Sequence, residues 1–142
     1  MFAKQLSVFL ENRQGRLGEV LTVLKENDVN ILSISLADTT EFGLLRLMVN
    51  DPEKGKERLK EKGFSTMLSN VLIVALQHKA GSLQKVLQII SENGENVEYM
   101  YGLSANGDDA SVVLKVSNDS KVEKVLAENG VKTLTNEQVS AL

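Results

Sequence analysis

The sequence predicts an α+β chain built of two consecutive βαββαβ repeats, each an antiparallel sheet with its helices on one face. Three observations predict this. The chain matches itself at a fixed displacement, each half alternates period-2 and period-3.6 apolar patterns in the same order, and 142 residues with 42% hydrophobic and 25% charged content suit two small domains. At a displacement of 66 residues, Leu6, Val8, Leu10, Gly15, Leu17 and Val20 fall on Leu72, Val74, Leu76, Gly81, Leu83 and Val86. Leu21, Glu26, Asn27 and Asn30 likewise fall on Leu87, Glu92, Asn93 and Asn96. Further along, the displacement becomes 67, pairing Leu45, Leu47, Val49, Leu59 and Gly63 with Val112, Leu114, Val116, Leu126 and Gly130, which puts one extra residue near Asn106 and Gly107. The copies are expected at residues 1–69 and 70–142.

In the first copy Leu6, Val8 and Leu10 alternate with Ser7, Phe9 and Glu11, the mark of a half-buried strand. Leu17, Val20, Leu21 and Leu24 then place an apolar stripe on a helix ending at Asn27 and Asp28. Ile31 to Ala37 and Leu44 to Val49 predict a hairpin turning at Thr40 to Gly43. Asp51, Pro52 and Glu53 supply an N-cap, a first-turn proline and an acidic first turn for a helix running to Lys62, where Gly63 stops it. Phe64 to Leu68 completes the copy as a short strand. The second copy repeats the order at Val71–Leu76, Leu83–Ser91, Val97–Leu103, Ser111–Val116, Val122–Glu128 and Val131–Leu134. Right-handed crossovers turn such a unit into a ferredoxin-like fold. Val71 to Leu76 is apolar on both faces, so the side without helices is expected to be covered.

Composition removes several functions. With 16 Lys and Arg against 19 Asp and Glu, the net charge of -3 provides no basic excess for nucleic acid. Cysteine is absent and there is a single histidine, which excludes disulfides, thiolate metal sites, iron–sulfur clusters and multi-histidine metal centres, so no metal and no cofactor is expected. The longest apolar run, Val71 to Leu76, falls far short of the about 20 residues that span a bilayer. Met1 to Leu10 does not read as a signal peptide. The expected setting is the cytoplasm, without membrane contact.

The segment between the first strand and first helix carries more information. It reads Asn12-Arg13-Gln14-Gly15-Arg16-Leu17 in one copy and His78-Lys79-Ala80-Gly81-Ser82-Leu83 in the other. The second strand opens with Val29-Asn30-Ile31 and Glu95-Asn96-Val97. Unpaired backbone N–H groups at a helix opening favour a carboxylate, and glycine lets it approach closely. The Asn12 side-chain oxygen and carbonyls near Asn30 would accept from an ammonium group, which makes an amino-acid-sized site.

These loops resemble the ACT domain family of small-molecule regulatory domains. Its pattern is a strand, an Asn or Asp, two residues of which the second is often proline, then glycine, any residue and leucine, with Val-Asn-Ile common at the second strand. The resemblance covers both copies and nearly the whole chain. It implies effector binding near the loop, commonly at the seam between paired domains, by Asn12, Arg13, Gln14, Gly15, Arg16, Leu17, Asn30 and Ile31. The matching positions of the second copy are His78, Lys79, Ala80, Gly81, Ser82, Leu83, Asn96 and Val97. The family's proline is replaced by Gln14 and Ala80, and the polar anchor is Asn12 in one copy and His78 in the other. The two loops are therefore expected to differ, with the Asn12 loop the better amino-acid site.

Structural readings stand beside these. Gly15 and Gly81 also suit a backbone conformation other residues resist, Arg13, Arg16 and Lys79 suit a solvated loop, and Tyr99 and Tyr101, facing the same way, suit ordinary packing. Asp108 and Asp109 suit a turn. No catalytic residue is expected. His78 meets no serine in a nucleophile elbow, neither loop glycine precedes Lys-Ser or Lys-Thr, and no GxGxxG spacing occurs. The expected function is a non-catalytic sensor of a free amino acid or related small metabolite, homodimeric, acting on a partner enzyme or regulator. The alternative is a subunit whose repeats make only protein contacts.

Overall fold

The computed structural model describes residues 2–11, 13–38, 42–77, 79–103 and 109–141, apart from the side chains of Asp38 and Asp109. It divides into two compact units: Lys4–Ser69, here the first unit, and Asn70–Leu142 together with Met1–Ala3, the second. Each is a ferredoxin-like α+β repeat.

The chain forms β1 (Ala3–Glu11), α1 (Arg16–Glu26), β2 (Ile31–Asp38), β3 (Phe42–Val49), α2 (Pro52–Glu61) and β4 (Ser65–Gln77). In the first unit the strand order is β2-β3-β1-β4. β3 lies antiparallel to both neighbours, with Val8 opposite Leu45 and Leu36 opposite Leu45 on its other side. Leu6, Val8 and Leu10 of β1 and Leu45, Leu47 and Val49 of β3 form one wall of the core. Val20, Val23 and Leu24 of α1 and Leu59 of α2 form the other. The buried stripe of α1 is thus Val20, Val23 and Leu24, with Leu17 packed at its margin. Leu21, which the periodicity places in that stripe, is half-buried, because it lies about 100° around the helix from Val20 and about 160° from Val23, at the margin of the buried face.

The helix ends follow their local chemistry. The Asn27 side-chain amide donates to the Val23 carbonyl at 2.8 Å, and the Asp51 carboxylate caps α2 by accepting from the Lys54 N–H at 3.2 Å. Gly55 is buried in α2, where a Cβ would lie 3.1 Å from Leu6 Cδ2 and 3.5 Å from Leu24 Cδ2. Glycine, unfavourable inside a helix by about 1 kcal/mol relative to alanine, here allows α2 to sit close to β1 and α1.

The second unit continues with α3 (Ser82–Glu92), β5 (Val97–Leu103), β6 (Asp109–Val116), α4 (Asp119–Glu128) and α5 (Asn136–Ser140). Its strands run β4-β6-β5, with Val74 opposite Val112 and Tyr101 opposite Val113. Leu72, Val74, Leu114 and Val116 meet Val86, Ile89 and Ile90 of α3 and Val122 and Leu126 of α4. Asn93 and Asn118 repeat the roles of Asn27 and Asp51 at the end of α3 and start of α4.

Three features differ from the sequence expectation. The strands expected at Phe64–Leu68 and Val71–Leu76 are one strand, β4, from Ser65 to Gln77, with no break at Ser69 and Asn70. The last expected strand, Val131–Leu134, is a single bridge from Thr133 to Val74, flanked by Ala75 N–H to Lys132 O at 3.0 Å and Leu134 N–H to Ile73 O at 2.9 Å. Beyond it α5, absent from the expectation, is opened by a Thr135–Gln138 capping box. Val71 and Ile73, on the face of β4 turned away from the helices, are fully buried like Leu72 and Val74. The turn expected at Thr40 and the extra residue near Asn106 and Gly107 lie outside the described residues, as does Asp108.

Candidate ligand site in the loop before each first helix

Each unit opens its first helix on a glycine in the left-handed region, Gly15 at φ 86° and Gly81 at φ 87°. A Cβ at either would meet nothing within 4 Å, so the requirement for glycine is conformational rather than steric. The backbone around them is the same in both units. Arg13 N–H donates to Glu11 O and Lys79 N–H to Gln77 O, each at 2.8 Å, and Gly15 O and Gly81 O accept from Glu19 and Lys85 N–H, each at 3.0 Å. Neither glycine offers a capping side chain, so the first-turn amides of α1 and α3 receive no acceptor from the cap position. Such amides suit an anion. Asn12 and His78 lie outside the described residues.

The side chains around this shared backbone differ. In the first unit Arg13 pairs with Glu11 at 3.2 Å, both side chains 61% exposed, and Gln14 is exposed. The Arg16 guanidinium lies 4.3 Å over the Phe64 ring and 2.7 Å from the Glu19 carboxylate, with its side chain only 15% exposed. Arg16 is therefore ordered by its own unit, and Leu17 packs against the core. A hollow of about 350 Å³ lies beside Phe64, between Glu19, Thr22 and Lys62.

In the second unit Ser82 stands where the first has Arg16, and Val131 where it has Phe64. The space held in the first unit by the stacked pair is open here. A cleft of about 690 Å³ runs from the end of β4 at Ala75 and Gln77, past Lys79, Gly81 and Ser82, to the Asn129–Lys132 segment. Ala80 also lines it, and half-buried Leu83 is the next helical residue. Among the described residues its walls include Lys79, Lys85 and Lys132 and no acidic residue. Sequence reasoning favoured the other loop, and it did not single out Gln84, Lys85, Asn129, Val131 and Lys132, which line this cleft. The signal was available at the aligned positions where the two copies differ.

Asn30, Ile31, Asn96 and Val97 stand apart from these loops. Within each unit an 11-residue helix separates them from the glycine, a length of about 16 Å. Asn30 N–H donates to Asn50 Oδ1 at 2.8 Å and Asn50 N–H to Asn30 O at 3.1 Å. Ile31 pairs with Val49. In the second unit Asn96 N–H donates to Ser117 Oγ at 3.1 Å, Ser117 N–H donates to Asn96 O at 3.1 Å, and Val97 pairs with Val116. The Ser117 hydroxyl donates to the Glu95 carboxylate, and Lys121 Nζ reaches Glu95 at 3.2 Å and the Asn93 carbonyl at 2.9 Å. The Ser117 hydrogen bond first and the Lys121 ammonium second hold the Glu95 carboxyl below the usual carboxylate range. These groups fasten the start of β2 or β5 to the residue ahead of α2 or α4. Tyr99 and Tyr101 do not line the cleft. Among the described residues no group of three or more His, Cys, Asp or Glu could hold a metal ion, and no helix is long and apolar enough to cross a membrane.

Comparison with known proteins agrees with this architecture. The family model for an ACT domain pair matches residues 1–142. The chain is similar to protein BT0572 from Bacteroides thetaiotaomicron, at 39% identity and a TM-score of 0.94, over 100% of this chain and 98% of that one. It shares its fold with the regulatory subunit of aspartate kinase from Thermus thermophilus, at 14% identity and a TM-score of 0.61, over 88% of this chain and 91% of that one. It also shares it with part of E. coli aspartokinase III, at 15% identity and a TM-score of 0.52, over 87% of this chain and 30% of that one. No curated protein matches the sequence.

Proposed function

The chain belongs to the ACT domain family as a pair of such domains, and we propose that it is a non-catalytic regulatory protein that binds a free amino acid or similar small metabolite and reports its level to a partner enzyme or regulator. The cleft of about 690 Å³ beside the opening of α3 carries this reading, a volume in the range of small-molecule pockets. The amides of the first turn of α3 receive the ligand's carboxylate. The side-chain oxygens of Gln77, Gln84 and Asn129, all in the lining, are available to its ammonium group. The site thus takes Lys79, Ala80, Gly81 and Ser82 from the second loop, while in the first the Arg16 guanidinium lies over the Phe64 ring. Ligand binding favours the conformations that make these contacts, and a partner that prefers the same conformations binds more tightly by linkage.

A thermal-shift panel of the twenty amino acids at millimolar concentration tests the reading. A ligand at one hundred times its dissociation constant adds about 2.7 kcal/mol, which raises the melting midpoint by about 5 °C or more. The rise should vanish in the double variant Ser82→Arg with Val131→Phe, which rebuilds the stacked pair of the first unit inside the cleft. If no amino acid moves the midpoint, the sensor reading gives way to a subunit that makes only protein contacts. That second reading is favoured by exposed apolar side chains in the first unit, Phe9, Phe42 and Met67 at 46%, 55% and 49%. Those side chains also support the homodimer included in this proposal.

A further inference from the structure

The charges around the cleft point to a narrower ligand class than amino acids at large, and we propose that its ligand carries two carboxylates. The inference rests on the reading that this cleft is the ligand site. Three cations reach the cleft from three segments: Lys79 from the loop, Lys85 from the first turn of α3 and Lys132 from the segment bridged to β4. Among the described residues none of the three has an acidic partner, whereas Arg13, Arg16, Lys115 and Lys121 each do.

Alignment of the copies shows that this charge is particular to the second unit. Lys79 corresponds to Arg13, which Glu11 neutralises, and the partner position is Gln77 in the second unit. Lys85 corresponds to Glu19, a reversal of sign, and Lys132 to Ser65. Lysine at the positive end of a helix dipole is unfavourable, and the first turn of α3 contains no acid to relieve it. An amino acid with a neutral side chain brings no net charge to the cleft. A dicarboxylate places one carboxylate at the helix opening and a second among the lysine ammonium groups.

Isothermal titration of the intact protein at low salt, with L-aspartate, L-glutamate, L-asparagine, L-glutamine and succinate as ligands, tests the proposal. Each acid should bind at least tenfold more tightly than its amide, and the difference should shrink as salt is raised. Lys85→Gln and Lys132→Gln, exposed positions whose folding is checked by circular dichroism, should weaken the acid about three- to tenfold each and the amide by a smaller factor. Equal affinity for acid and amide, or tighter binding of the amide, overturns the dicarboxylate and leaves the amino-acid reading standing. Binding of succinate with no binding of any amino acid retains the two carboxylates and overturns the amino-acid reading. If none of the five ligands binds, the dicarboxylate is overturned, and the twenty-member panel decides the broader reading separately.

Discussion

The two loops preceding α1 and α3 have one backbone and two surfaces. Their glycines differ by one degree in φ and their flanking hydrogen bonds superimpose in kind and length. Around the first, Arg16 is wedged between Phe64 and Glu19. Around the second, Ser82 and Val131 leave a cleft edged by three lysines. The difference teaches that a duplicated unit can keep its scaffold and change its chemistry through two side chains far apart in sequence, because Arg16 and Phe64 meet only in the fold. The cores show the same economy. Gly55 lets α2 settle close to Leu6, whereas Val122 at the matching turn of α4 fills its own space.

The largest test of this contrast is truncation of the aromatic plug. Phe64→Ala should cost about 3 kcal/mol or more, as expected for a nearly buried phenylalanine, and Val131→Ala only about 1 kcal/mol for a half-buried valine. Urea denaturation of both variants reads the difference, and equal losses would mean that the floor of the cleft is packed as tightly as the first unit. Of intermediate size, Gly15→Ala and Gly81→Ala should each cost about 1–2 kcal/mol, the strain of a left-handed backbone, with no steric addition at either position. A mismatch between those two losses would break the claim of a common backbone.

The smallest effect concerns pH. Glu95, where the first unit has buried Val29, is held by Ser117 and Lys121 below its ordinary value of 4.5. A carboxyl whose folded-state pKa is depressed stabilises the fold above its unfolded value, and that contribution is lost as pH falls through the folded value. Denaturation midpoints followed from neutral pH to well below 4.5 should therefore fall more steeply for the wild type than for Glu95→Gln. Superimposed profiles would show that the network adds nothing to stability.

Most of the architecture was legible in the sequence because it is written twice. Paired apolar positions such as Leu6 and Leu72 gave the strands, and Asp51-Pro52 marked the start of a helix whose cap the structure displays. What escaped had either no local signal or a signal set aside. Nothing near Ser69 distinguishes two short strands from one long one, and the Thr135-x-x-Gln138 pattern that opens α5 lies past the end of the repeat. Of the proposed site, Lys79, Ala80, Gly81 and Ser82 were legible in the sequence, and the walls at Gln84, Lys85 and Asn129–Lys132 were not. Identities between the copies mark what both need in order to fold, whereas Lys85 against Glu19 and Val131 against Phe64 are differences. The stacking of Arg16 is a tertiary contact that no spacing within the loop announces.

The composition of the second unit has a practical consequence. Its core takes in Phe2, and the unit includes Met1–Ala3 although the rest of it starts at Asn70. A gene fragment cut at that residue would encode a domain missing one of its own side chains. Transplanting the cleft into another scaffold as a portable binding element therefore calls for an added peptide that restores Phe2, or for a rearranged chain order that makes the unit contiguous.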